Sequence, residues 1–303
     1  MAKPGPQVTT PEALQRLESD CATLKHRAKR SVGTASLHTK YSGQVSRRDL
    51  YAKVAQARRH KNAEYRRNLK HLEWHGTGIV WAMDDTEYGV QDATRWVHNV
   101  RDLGAQYVME PLVSETIATG QMVANNLEKL FKAHGAPLFL KRDNGSTLCS
   151  HEVNEVLAKW MVLPLTSPPY YPRYNGAIEW SQGQLKMEME RVMVESGGDI
   201  GDASLHAKLA SHTINHRNSP VLQGRCPCHA AATSRSLFTH NERRQLLHWM
   251  VAEQECILED MGPEPDRRAA WRQAATRWLT RNGLLIIKEP RCVSTNSRAN
   301  VLA

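Results

Sequence analysis

At 303 residues the chain is longer than a usual single domain, which predicts two or three domains around one sizeable core. An apolar share of 41% and a charged share of 23% suit a globular protein, and no apolar run approaches the roughly 20 residues that span a bilayer. The start, Met1-Ala-Lys-Pro-Gly-Pro, lacks the apolar stretch of a signal peptide, so the expectation is a cytoplasmic protein without a membrane partner. Six scattered cysteines in a chain this long read as reduced thiols. The net charge of +9 is unevenly placed: residues 1–75 hold 16 Lys and Arg against 6 Asp and Glu, and the remainder holds 24 against 25. A basic N-terminal quarter points to a polyanionic partner.

In chain order, Pro11-Glu-Ala-Leu-Gln-Arg-Leu17 opens an amphipathic helix with apolar positions 14, 17, 21, 24 and 28. Thr34 to Tyr41 forms a second, short helix closed by Gly43. Ser46-Arg-Arg-Asp49 has the pattern of a capping box and opens a third helix through about His60. This order fits a helix-turn-helix, with Arg47 and Arg48 available for phosphates; the alternative is a solvated basic helical linker.

From Gly78 short apolar runs alternate with turns. Strands are predicted at 79–83, 95–101, 105–112, 138–142 and 162–166, and helices at 114–134, 150–161 and 177–194. The order βββαβαβα indicates an α/β sandwich with a mixed sheet between helices. Beyond Gly201 three helices are expected, at 202–216, 241–261 and 266–281, with Asn282-Gly283 as a C-cap. The predicted domains are 1–75, 76–200 and 201–303. His212, His216, Cys226, Cys228 and His229 offer zinc-type ligands at an unusual spacing, and packed or capping residues are the simpler reading.

Three acids stand where a globular fold gains little from an acid: Asp84 after the first core strand, Asp143 after the strand 138–142, and Glu179 in the first turn of a helix. Neighbouring strands would set Asp84 beside Asp143, and the helix start can bring Glu179 opposite. Such a carboxylate cluster needs cations to persist, and oxygen ligands alone select Mg²⁺ or Mn²⁺. Two such ions serve in-line displacement at phosphorus. Lys186, seven residues past Glu179, projects from the same helical face and can grip a DNA phosphate. Taken singly, each acid also has an ordinary structural reading as a strand end or turn.

Trp81-Ala-Met-Asp84-Asp-Thr86, Asp143-Asn-Gly-Ser146 and Ser167-Pro-Pro-Tyr-Tyr-Pro-Arg-Tyr-Asn-Gly-Ala-Ile-Glu179 together resemble the three signature blocks of retroviral-integrase-like DDE transposases, especially those of bacterial insertion sequences. The 35 residues between Asp143 and Glu179 reproduce that family's spacing. The resemblance covers about residues 76–230, including Asn215-His-Arg217. It implies a ribonuclease-H-like five-stranded mixed sheet, two Mg²⁺ or Mn²⁺ ions on Asp84, Asp143 and Glu179, and metal-dependent DNA 3′-end cleavage and strand transfer. It further implies that Asn175 and Gly176 belong to a mobile catalytic loop and that Lys186 contacts the element's DNA end, with Arg173 a further DNA contact. The implied partners are DNA, as element ends and target, and further copies of the chain, at least a dimer; no feature names an accessory ATPase. The implied setting is the bacterial cytoplasm, at the nucleoid when bound to DNA. A nuclease of the same fold without strand transfer and a domesticated DNA-binding protein are the alternatives. Asp85 departs from the resemblance, placing two acids in succession. Because strand neighbours face opposite sides, only one can join the cluster, and Trp81 and Thr86 set the register on Asp84. Trp180 stands where the family commonly has Arg and reads as a packing or DNA-stacking residue.

Overall fold

The N-terminal helices close on one another through residues spaced four apart. In the computed structural model, which describes residues 9–22, 34–67, 71–90, 93–168, 175–233, 237–262 and 265–288, α1 (Pro11–Ala22) directs Ala13, Leu17 and Cys21 inward. There they meet Leu37 of α2 (Thr34–Lys40), Tyr41 and Val45 of the turn, and Leu50 and Val54 of α3 (Arg47–Arg67). The turn carries Gly43 at φ +80°, a backbone shape that Gly adopts without strain. As expected, Ser46 caps α3: its Oγ accepts from the Asp49 N–H at 3.1 Å and donates to the Asp49 carboxylate at 2.7 Å. These helices fall in one compact unit, Met1–Leu72 with Ile287–Ala303; Glu73–Ile286 form the other.

The second unit is organised by a sheet of order β4-β3-β2-β5-β6. Its strands are β2 (Val80–Val90), β3 (Ala93–Asp102), β4 (Leu112–Ser114), β5 (Phe139–Arg142) and β6 (Leu163–Thr166). β2, β3 and β4 pair antiparallel, whereas β5 and β6 add parallel to β2. This is the mixed five-stranded sheet between helices that the sequence predicts. A separate ladder joins β1 (His71–Trp74) and β7 (Leu285–Lys288), neither of which the residue pattern predicted.

Alternation along the strands sorts the core onto two faces. Trp81, Met83 and Leu140 pack with Val123, Leu127 and Phe131 of α4 (Gly120–His134) and Val153 and Leu157 of α5 (His151–Lys159). Val80, Ala82, Phe139 and Leu165 face the other way. They meet Leu246 and Met250 of α9 (His240–Asp260) and Ala270, Ala274 and Leu279 of α10 (Arg267–Arg281), together with Ile178 of α6 (Gly176–Ser196). Farther along β2 on that face, Tyr88 and Val97 pack on Leu185 and Met189 of α6 and on Ala203, Ala207 and Ile214 of α7 (Ala203–His216). The short α8 (Pro227–Thr233) follows.

Three predicted boundaries move for identifiable reasons. The first core strand runs on to Val90, because it is one arm of a long antiparallel pair with β3, so Asp84 lies within the strand rather than at its end. Residues 105–111 form no strand beyond a single bridge, Arg101 to Val108, and the third core strand, β4, begins only at Leu112. The buried Asp102 carboxylate collects the N–H groups of Gly78, Gly104 and Ala105 and the Trp81 indole N–H, which turns the chain sharply. Val108 then gives its N–H to Asn215 Oδ1 at 2.9 Å and accepts from Asn215 Nδ2 at 2.7 Å, so a side chain of α7 substitutes for a strand partner. Finally, the helix expected from Ser114 begins at Gly120, where Thr119 Oγ1 caps the Met122 N–H.

Asn215→Ala is expected to cost about 2–4 kcal/mol, since it leaves a buried N–H and C=O of Val108 unpaired. His216→Ala, at the exposed neighbour, should change stability by less than about 0.5 kcal/mol. Chemical denaturation of both variants checks the contrast.

Candidate active site

The parallel pairing of β2 with β5 matches Val80 with Phe139 and Ala82 with Lys141. Carried two residues farther along each chain, the same register sets Asp84 level with Asp143, and alternation turns both toward the face that α6 crosses. Asp143 leaves the end of β5 in a tight turn, its Oδ1 accepting from the Gly145 N–H at 2.7 Å. A Cβ on Gly145 would stand 2.9 Å from that oxygen, so the turn fits glycine. The buried Arg142 braces the turn from the opposite face, donating to the Leu148 carbonyl at 2.8 Å and Asn154 Oδ1 at 2.6 Å.

Glu179 is placed by α6. Ser167, just past β6, donates its backbone N–H to the Arg142 carbonyl at 2.9 Å, and its Oγ lies 2.7 Å from Asn175 Oδ1. Asn144 Nδ2 donates to the Ser167 carbonyl at 2.9 Å. The segment after Asp143, the end of β6 and the start of α6 are thereby tied together. Ser181 is buried on α6 and accepts from Asn99 Nδ2 at 3.2 Å; Asn99 is the cross-strand partner of Asp84. The first turn of α6 therefore lies over β2 and β3, with Glu179 exposed at its start.

Burial pushes the Asp84 carboxyl up to about 6; the Asp85 N–H opposes this, and the charges of Asp143, Asp85 and Glu179 add to the rise. The three predicted acids are thus electrostatic neighbours. Among the described residues, however, no three His, Cys, Asp or Glu side chains stand close enough to hold an ion as they are. The donor set, carboxylate oxygens only, suits a hard divalent cation, which would offset both the burial of the Asp84 charge and the smaller repulsion from its acidic neighbours. Asp85 is accounted for separately: it points to the other face and accepts from or donates to His98 Nδ1 at 2.7 Å, according to the protons they hold.

Two buried cations that the sequence reading passed over sit one step back on the face of the acids. Lys141, level with Ala82, is pushed down to about 7 by burial, against the pull of Glu179. Arg101, opposite Ala82 on β3, is pushed down to about 10 by burial, against the pull of Asp102. The alternation Phe139, Lys141, Asp143 was the available signal, because a basic residue between two inward positions must itself point inward.

The other predicted residues are more dispersed. Asn175 and Gly176 stand at the N-terminus of α6 and Lys186 is half-buried two turns along it, whereas Arg173 lies outside the described residues. Arg47 and Arg48 are exposed at the start of α3, in the other unit. The zinc-type residues form no joint site among the described residues: Cys226 and Cys228 sulfurs lie 3.0 Å apart, and the exposed His212 and His216 rings stack on each other at 4.0 Å. No described helix is long and apolar enough to cross a membrane.

No family model matches the chain. Among curated proteins it is 35% identical to an uncharacterized protein of Caenorhabditis elegans over 107 residues, 34% of this chain and 8% of that protein. It is 25% identical to the Gag-Pro-Pol polyprotein of Mouse mammary tumor virus over 117 residues, 38% of this chain and 6% of the polyprotein. The chain therefore spans less than a tenth of the length of these relatives. Among solved structures it is similar to the HTLV-2 integrase catalytic core domain in complex with magnesium, dimeric form, with 18% identity, TM-score 0.43, and coverage of 51% of this chain and 97% of that one. It is also similar to a chain of the simian T-cell lymphotropic virus intasome in complex with a PP2A regulatory subunit, with 19% identity, TM-score 0.47, and coverage of 68% and 77%. For the BIV integrase catalytic core the values are 20%, 0.42, 52% and 95%.

Because the Asp84 carboxyl rises from an ordinary 3.8 to about 6 on folding, its ionisation opposes folding. The penalty is absent below pH 3.8, grows as pH rises, and is complete above pH 6. Asp84→Asn is expected to stabilise the metal-free protein at pH 7.5 by about 1–2 kcal/mol after solvent screening, a shift of a few degrees in Tm, and to lose that advantage toward pH 4. Thermal melts of both proteins across this range check it; equal Tm values at pH 7.5 would contradict it.

Proposed function

We propose that the chain is a DNA polynucleotidyl transferase of the transposase and integrase type, which cleaves the 3′ ends of a mobile element and joins them to target DNA. The observation that supports this reading best is the parallel register of β2 and β5, which carried two residues on brings Asp84 level with Asp143, together with the charges of Asp143 and Glu179 felt at Asp84. Asp84, Asp143 and Glu179 would hold two Mg²⁺ or Mn²⁺ ions. When bound, such ions activate the attacking oxygen and neutralise the departing one at phosphorus.

In the first reaction the oxygen of a water attacks the phosphorus, the bond to the 3′ oxygen breaks, and that oxygen takes up a proton to become a free hydroxyl. In the second the same hydroxyl attacks a phosphorus of the target, forming a new phosphodiester and releasing a target 3′ hydroxyl. No bond to the protein is needed in either step. Lys186 binds a phosphate near the scissile bond, Asn175, Gly176 and Arg173 position the strand, and Arg47 and Arg48 of the basic unit hold the element end. Arg101, lowered to about 10 and so still charged at neutral pH, supplies positive charge behind the acids, and Lys141, lowered to about 7, adds to it when protonated. Processing two ends calls for at least two copies of the chain.

A pre-cut element end incubated with plasmid and Mg²⁺ or Mn²⁺ should yield joined products. Asp143→Asn should lower their formation at least about a thousandfold, or ~4 kcal/mol in barrier, with DNA binding retained. Fragments without joined products would point to a nuclease, and DNA binding without cleavage to a binding protein; either result overturns the proposal.

A further inference from the structure

Trp180 follows Glu179 directly at the start of α6. Its indole is 58% exposed, although the same helical turn is anchored by the buried Ile178 and Ser181. Single exposed aromatics are common and need no explanation by themselves. What sets this one apart lies beneath it. The Arg101 guanidinium carbon sits 5.0 Å from the centre of the Trp180 ring, within the range of a cation–π contact. Arg101 is only 4% exposed, and its Nη1 has no hydrogen-bond partner among the described residues. The adjacent Asp102 is no ion-pair partner at contact distance, since its oxygens serve the N–H groups of Gly78, Gly104, Ala105 and the Trp81 indole. A buried cation with an unpaired donor is costly to keep, and the indole face is the contact the structure gives it.

The consequence is an aromatic plate with a cation on its inner face and an open outer face. The Asn99–Ser181 hydrogen bond fixes the turn that carries it, so the plate is preorganised. Positive charge behind an indole draws its π-electrons inward and makes the outer face receptive to an electron-rich, flat partner. Near an acid cluster of this kind, a nucleobase freed from its pair is that partner, and every base offers such a face.

We propose that Trp180 is a stacking platform for an unpaired nucleobase of the DNA strand held at Asp84, Asp143 and Glu179. This rests on the function proposed above and adds a recognition element to it: the site takes a DNA end with a base unpaired beside the scissile or joining position, and holds purines more tightly than pyrimidines because of their larger flat area.

The test uses the full chain and a duplex carrying 2-aminopurine as an unpaired base next to the recessed 3′ end, with binding followed by anisotropy in parallel. Wild type should quench the probe on binding, Trp180→Phe should retain most of the quenching, and Trp180→Leu should lose it. Replacing the probe base with an abasic site should weaken wild-type binding about tenfold and leave Trp180→Leu unaffected. Undiminished quenching in Trp180→Leu, or equal wild-type affinity for the abasic duplex, overturns the platform while leaving the enzymatic reading intact. Failure of the wild type to bind the duplex at all overturns both.

Discussion

Three backbone rungs between β2 and β5, Val80 with Phe139, Trp81 with Leu140 and Ala82 with Lys141, set the level at which the acids of the site stand. A slip of one residue would turn the face of either strand inside out. It would carry Asp84 toward α4 and α5 and draw Trp81 out of its contact with Phe131, whose ring lies 5.6 Å from it. The apolar core thus holds the register, and the register places the acids. The two are inseparable because Trp81, Ala82, Met83 and Asp84 are consecutive residues of one strand.

The same face carries an electrostatic tension. Asp84, Asp143 and Glu179 gather negative charge, Asp84 rises to about 6, and Lys141 and Arg101 lie buried one rung behind with their charged forms disfavoured. A protein selected only for stability would replace such charges with apolar side chains of similar volume. Their presence on one face, beside a braced turn at Asp143 and a tied helix start at Asn175, fits a site whose charge balance is completed by a bound cation and a bound anion.

Much of this was legible in the residues. The apolar runs gave most strands and helices in order, apart from the strand expected at 105–112, and the alternation along β2 and β5 turns Asp84 and Asp143 to one face. Alternation separated Asp84 from Asp85, whose contact with His98 on the far side accounts for the second acid. Less legible was whatever depends on partners distant in sequence. Residues 105–112 look like a strand by composition, yet Asp102 takes the Ala105 N–H and Asn215 both backbone groups of Val108, so pairing with β3 is limited to one bridge before Leu112. Strands β1 and β7 are short, and more than two hundred residues separate them, so local pattern does not reveal them. Lys141 and Arg101 read locally as ordinary strand-end cations, and only the pairing of three strands brings them together behind the acids.

The proposed chemistry requires that these carboxylates share a divalent ion. Anomalous diffraction from crystals of the protein soaked in Mn²⁺ tests this most directly. A manganese peak beside Asp84 and Asp143 is expected, lost in Asp143→Asn, and Glu179 should approach it when DNA is bound. A site without manganese at saturating concentration, or manganese bound only elsewhere, would contradict the proposed chemistry.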